Sequence, residues 1–176
     1  MTLQNVTNRE VQLRAIRMDD YDTILNWSKD EQFCSANDWP LNRTDEEVYT
    51  WWEQCVTTKK DHFVRLGIEL HSKLIGYADL AHIRKDHQSA EIGIAIGETS
   101  VWGKGFGVQA AKELMTYGYN EFSITTFHAE THETNFRAQK LLNRLGFQEI
   151  SRNGTEQYLN KETKLIQFRH LWNVAD

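Results

Sequence analysis

Proline is nearly absent from this chain, with Pro40 the only one among 176 residues. That excludes a proline-rich linker or a collagen-like repeat. Cysteine is scarce too, and Cys34 and Cys55 cannot build a disulfide framework, so the thiols point to a reducing, cytoplasmic setting. No apolar run approaches the roughly 18 residues that cross a bilayer. The opening MTLQNVTNREV lacks a basic stretch followed by an apolar core, so it does not read as a signal peptide. Without a secretory route, the Asn-x-Ser/Thr triplets at Asn5, Asn42 and Asn153 read as chance matches. Charge of one sign is not in excess either. A net charge of -5 argues against nucleic-acid or membrane-surface binding, and 40% hydrophobic with 11% aromatic residues argues against disorder. What remains is a globular, single-domain protein spanning 1–176.

The chain alternates strand-like and helix-like segments. Val11 to Arg17 alternates apolar and polar, as a half-buried strand does. Asp19 and Asp20 offer an N-cap for a helix carrying Tyr21, Ile24 and Leu25. Thr44 and Glu47 have capping-box spacing, ahead of an apolar helical stripe at Val48, Trp51, Trp52, Cys55 and Val56. Strands follow at HFVRLGIEL, LIGYADLAHI and AEIGIAIG, with turns at His71 to Lys73 and Lys85 to Gln88. In the third, Ile92, Ile94 and Ile96 share one face, while Glu91, Gly93, Ala95 and Gly97 leave the other nearly bare. A face so stripped marks close approach by a ligand or another backbone. Two further helices are expected, one with stripe Val108, Ala111, Leu114, Met115 and Gly118, the other capped by Thr134 or Asn135 and ended by Gly146. The strand-like FHAETH lies between them, and two strands close the chain after Phe147. The order is that of a mixed α/β domain with a largely antiparallel first half.

Gly103, Gly105 and Gly107 join the bare strand to a helix. Glycines let backbone N–H groups turn inward at a helix N-terminus, which makes an anion cradle. A P-loop fails because Gly105 follows Lys104, and a dinucleotide fingerprint fails because Val108 stands where the last glycine belongs. A coenzyme A pyrophosphate loop remains, beside the alternative of an ordinary tight turn. His128 and His132 lie in H-A-E-T-H, which does not match the metalloprotease H-E-x-x-H, so no metal site is expected.

The span AEIGIAIGETSVWGKGFGVQAAKELMTYGYNEF, followed by THETNFRAQKLLNRLGF, resembles the acetyl-coenzyme A-binding core of the GNAT N-acetyltransferase superfamily, and more narrowly its RimJ/RimL branch. The resemblance covers Ala90 to Phe147. It implies the GNAT fold, an α/β arrangement in which about four helices flank a twisted, mostly antiparallel sheet of about seven strands, splayed at the cofactor site. It also implies that the backbone of Ile94, Ala95 and Ile96 holds the pantetheine arm, with the Ala95 N–H polarising the thioester carbonyl. Trp102, Gly103, Lys104, Gly105, Phe106, Gly107 and Val108 would hold the pyrophosphate. Asn135 would touch the pantetheine region, and Glu91 would be the general base. Where many relatives carry a tyrosine that protonates the departing thiolate, this chain has Leu142; Tyr117, Tyr119 and Asn143 are nearby alternatives. The implied activity is acetyl-CoA-dependent acetylation of a primary amine, foremost a protein N-terminal α-amine. A polyamine or aminoglycoside-like acceptor is the alternative, and a non-catalytic coenzyme A sensor is the alternative of another class. A homodimer is compatible with this reading. Asp38, Trp39, Glu47 and Trp52 are the acceptor contacts it allows.

Overall fold

The computed structural model describes residues 10–158 and 160–174; Asn5 falls outside them. In chain order the elements are β1 (Val11–Ala15), a 3₁₀ turn (Met18–Asp20), α1 (Tyr21–Ser28), α2 (Glu31–Ala36), α3 (Asp45–Thr57), β2 (Val64–Leu70), β3 (Lys73–Arg84), β4 (Ser89–Ile96), a 3₁₀ turn (Thr99–Val101), α4 (Phe106–Phe122), β5 (Thr126–His132), α5 (Phe136–Arg144), β6 (Gln148–Ser151), β7 (Thr155–Tyr158) and β8 (Lys161–Leu171). The strands form one sheet in the order β1-β2-β3-β4-β5-β8-β6, with β7 paired to β8 off that path.

Local signals explain most of these elements. The Thr44–Glu47 capping box forms in both directions, Glu47 N–H donating to Thr44 Oγ1 at 3.2 Å and Thr44 N–H to Glu47 Oε2 at 2.7 Å. Behind it Val48 and Trp52 are fully buried, whereas Trp51 is half-buried. Asn135 rather than Thr134 caps α5, its Oδ1 accepting from Ala138 N–H at 3.1 Å. Gly146 takes the left-handed conformation that ends the segment, with φ 83°. Asp20 does not cap α1 with its side chain. Its carboxylate instead accepts from both Arg14 Nη atoms, at 3.0 and 2.8 Å, and from Arg17 N–H.

Two regions differ from the sequence reading. The N-terminal third holds three helices, because Asp30 Oδ1 caps the six-residue α2 through Phe33 N–H. Six residues are too few to show a period. The tail holds three strands, because Gly154, with φ 83°, separates β7 from β6.

Helices cover both faces of the first half of the sheet. On one side Ala110, Ala111, Leu114 and Met115 of α4 pack with Ile68, Leu80, Ile83 and Ile92. On the other, Ile24, Phe33, Val48 and Trp52 from α1 to α3 pack against Leu74, Tyr77 and Ala95. Among the described residues no helix is long and apolar enough to cross a membrane.

Candidate active site

The sheet opens where its pairing changes. β4 and β5 are the parallel neighbours, and they pair over Ser89–Glu91 and Thr126–His128 alone. Beyond Glu91 the strands part, so the backbone of β4 from Ile92 onward loses its partner on that side. Ladder alternation decides which groups are exposed there. Gly97 N–H donates to Ile75 O at 2.8 Å across the β3–β4 pair, so residues 95, 93 and 91 of β4 are the ones bonded to β3. On the other edge, Thr126 N–H donates to Gln88 O, which puts the even-numbered residues toward β5. The N–H groups of Ile94 and Ile96 therefore face the splay.

This corrects one expected assignment. The Ala95 N–H points into the β3 ladder opposite Tyr77, and its side chain is buried against the α1–α3 layer, so it is not available as the oxyanion donor. The bare strand face has a matching explanation. A Cβ at Gly97 would run into the Trp27 ring, so the close approach there is by an aromatic side chain and not by a ligand. Gly93 is exposed and opens into the cleft.

After β4 the chain turns through Trp102, whose Nε1 donates to Ile96 O at 2.8 Å, and through Gly103 and Gly105 at φ 77° and 86°. Gly105 is the residue preceding α4, so the first-turn amides of Phe106, Gly107 and Val108 have no intrahelical acceptor and carry the positive end of the helix dipole. The third glycine has another task. A Cβ at Gly107 would lie 2.9 Å from Leu141 Cδ1, so its bareness lets α5 pack against the start of α4.

A cleft of about 900 Å³ joins this loop to the splay. Glu91, Ile94, Ile96, Trp102, Gly103, Gly105, Phe106, Gly107, Val108 and Asn135 all line it. Lys104 does not: it is exposed and outside the lining. The cations in the cleft come instead from α5, as Arg137, Lys140 and Arg144. The Arg137 guanidinium sits 3.6 Å above the Trp102 ring. These residues are missing from the sequence reading because charges on an amphipathic helix look like an ordinary solvated face. Their spacing of three and four is the signal that puts them on one side.

The lining also holds four carboxylates, Asp38, Glu91, Glu130 and Glu156. Glu91 is 39% exposed, and burial pushes its carboxyl above the ordinary range, opposed in part by His82, with the nearness of Glu130 adding a lesser push upward. Leu142 is buried and lines the cleft, so no hydroxyl stands at the usual tyrosine position. Tyr117, Tyr119 and Asn143 are not in the lining; Tyr119 is stacked on Trp172. Tyr158 is in the lining, stacked on His132 with ring centroids 4.4 Å apart. The Nδ1 of His132 lies 2.8 Å from Thr163 Oγ1. Among the four N-terminal acceptor candidates, Asp38 reaches the cleft. Trp39 donates to Tyr77 OH, Glu47 belongs to its capping box, and Trp52 is buried with Nε1 on Arg17 O. Among the described residues no cluster of three His, Cys, Asp or Glu is placed to hold a metal.

Residues 10–148 match the acetyltransferase (GNAT) domain. The chain belongs to the GNAT acetyltransferase family. The N-acetyltransferase p20 of Bacillus licheniformis, itself uncharacterized, is 34% identical over 150 residues, 83% of each chain. A spermidine N-acetyltransferase from Vibrio cholerae, solved with CoA and spermine, superposes with a TM-score of 0.78 at 21% identity over 92% of this chain and 95% of that one. RimL, a ribosomal L7/L12 α-N-protein acetyltransferase, gives 0.77 at 16% identity, over 93% and 91%. At these identities the two structures establish the acetyltransferase fold.

Proposed function

We propose that this acetyltransferase transfers the acetyl group of acetyl-CoA to the α-amine of a peptide or protein N-terminus. The observation that carries this is one cleft that gathers helix N-terminal amides and the α5 cations together with four carboxylates. The cofactor fits the amides and the cations. Amides of Phe106, Gly107 and Val108, backed by Arg137, Lys140 and Arg144, suit a pyrophosphate, and open space lies above Gly103 and Gly105, where a Cβ would meet nothing within 4 Å. The exposed N–H groups of Ile94 and Ile96 suit the amide-bearing pantetheine arm, and one of them is the donor for the oxyanion. Acetyl-CoA supplies the activated acetyl group.

The four carboxylates suit a cationic acceptor, and Glu91 stands at the last β4–β5 pair, where the strands part. It removes the proton that keeps the acceptor from acting as a nucleophile. An α-amine with a pKa near 8 is about a fifth neutral at pH 7.4, whereas an alkyl amine near 10.4 is about a thousandth neutral, so the α-amine demands less of a carboxylate. A second reading, a small polyamine, is supported by the presence of four carboxylates where one ammonium needs fewer. A thiol-release assay over N-terminal peptides and polyamines decides. The peptide reading expects the higher kcat/KM on peptides, and a preference for polyamines rejects it.

A further inference from the structure

The strand face that carries Glu91 contains one irregularity. β3 and β4 pair in step from Gly76 opposite Ile96 to Ala81 opposite Glu91, but the next matched pair is Arg84 with Ser89. β3 thus uses three residues where β4 uses two. The segment holds His82 with φ 49°, in the left-handed region that non-glycine residues seldom adopt. Leu80 and Ile83 both enter the core on the α4 side, three positions apart instead of two. Ala81 and His82 are therefore left together on the opposite face, which is the face of Glu91. With regular alternation His82 would stand on the far side of the sheet. With the bulge, its Nε2 lies 3.9 Å from Glu91 Oε2. The distortion is braced, since Ile83 N–H donates to His62 O at 3.1 Å and Ile83 O lies 3.1 Å from His62 Nδ1. His82 is 80% exposed, so nothing in the core requires its ring. Strain held beside a candidate base, with no packing reason for the side chain, calls for a functional reason.

We propose that His82 is the proton-holding partner of Glu91, placed by the β3 bulge so that carboxylate and imidazole together take the proton of the acceptor ammonium. The inference rests on Glu91 being the base. In the step, one N–H bond of the ammonium breaks and its proton passes to the Glu91 carboxylate and, once the exposed ring swings in to close the 3.9 Å gap, on to Nε2 of His82. The nitrogen lone pair then forms the N–C bond to the acetyl carbonyl carbon. The C–S bond breaks with its electron pair leaving on sulfur, as the coenzyme thiolate. The imidazolium afterwards gives its proton to water. An imidazole is closer in basicity to an amine than a carboxylate is, so the pair is better matched to the acceptor than a carboxylate alone. Other charged groups surround the pair. From β5 come His128, level with Glu91, and Glu130; from β8 comes Arg169, opposite His128. The hairpin itself adds Arg84, Asp86 and His87, and the segment before β2 adds His62. Glu130 favours a proton on Glu91, and Arg169 opposes one on His128.

The test uses His82→Asn, because asparagine tolerates the left-handed conformation and keeps the bulge. The kcat/KM for the acceptor is measured from pH 5.5 to 9 by thiol release and corrected for the acceptor's own ionisation, beside Glu91→Gln. The expected variant is roughly tenfold slower at pH 7.5, with its acid limb moved to lower pH, KM for acetyl-CoA unchanged, and part of the rate restored by added imidazole. A profile that overlays the parent overturns the inference. So does an equal loss at every pH with no effect of imidazole, which marks a structural role. Parental activity in Glu91→Gln would remove the base reading itself, whereas a slow Glu91→Gln with an unchanged His82→Asn removes this inference alone.

Discussion

Glu91 stands where stability and function are opposed. Burial raises its carboxyl, so the folded protein binds that proton more tightly than the unfolded chain does. The ionised form therefore opposes folding above the raised value, and the opposition is relieved as pH falls through it. Glu91→Gln is expected to melt at a higher temperature than the parent at pH 7.5, with the difference shrinking toward acid. A difference that stays constant with pH contradicts the assignment. The same substitution should lower kcat/KM roughly a hundredfold, as loss of a general base does. Ala95 teaches a related lesson. Its alternation in the strand is legible in the sequence, but which edge its amide faces depends on the register with β3, and no side-chain pattern records that.

In the proposed function, the loop and α5 act together on the anionic end of the cofactor. Arg137→Ala is expected to weaken coenzyme A binding about tenfold, the loss of one charge-assisted contact. Lys104→Ala should change it less than about twofold, since exposed charges contribute little. Calorimetric titration of both checks this, and a larger effect at Lys104 would reverse the assignment. Gly107→Val places side-chain carbon against Leu141, so α5 must shift. It should cost about 1–3 kcal/mol of stability by overpacking and weaken binding as well, read from denaturant melts and titration. These elements differ in how far the sequence reveals them. The glycine run, the Thr44 box and the Asn135 cap are legible because each depends on residues within a few positions. The six-residue α2, capped by Asp30, is not, because it is too short to show a period. The bulge at His82 is half-legible: Leu80 and Ile83 break the two-residue alternation, but only the pairing partners show that the break turns an imidazole toward Glu91.

At the scale of the molecule, the proposed function asks an acidic chain of net charge -5 to bind an anionic cofactor and a cationic acceptor in one cleft. Net attraction serves the acceptor and opposes the cofactor. The fold supplies both kinds of group to the cleft, helix amides and the α5 cations for the first and Asp38, Glu91, Glu130 and Glu156 for the second. Raising the salt concentration should weaken both partners, because each meets charge of opposite sign locally. The scarcity of proline and the modest charge left the function open. The match to the acetyltransferase (GNAT) domain, with β4 and β5 parting beside a glycine loop, makes that globular chain an acetyltransferase. The most direct measurement is acetyl-CoA turnover on a panel of N-terminal peptides and polyamines, with mass spectrometry locating the added acetyl group. The account predicts coenzyme thiol release matched by one acetyl group on an amine nitrogen of the acceptor, peptides foremost. Tight coenzyme binding without transfer to any amine would contradict it and leave a sensor in its place.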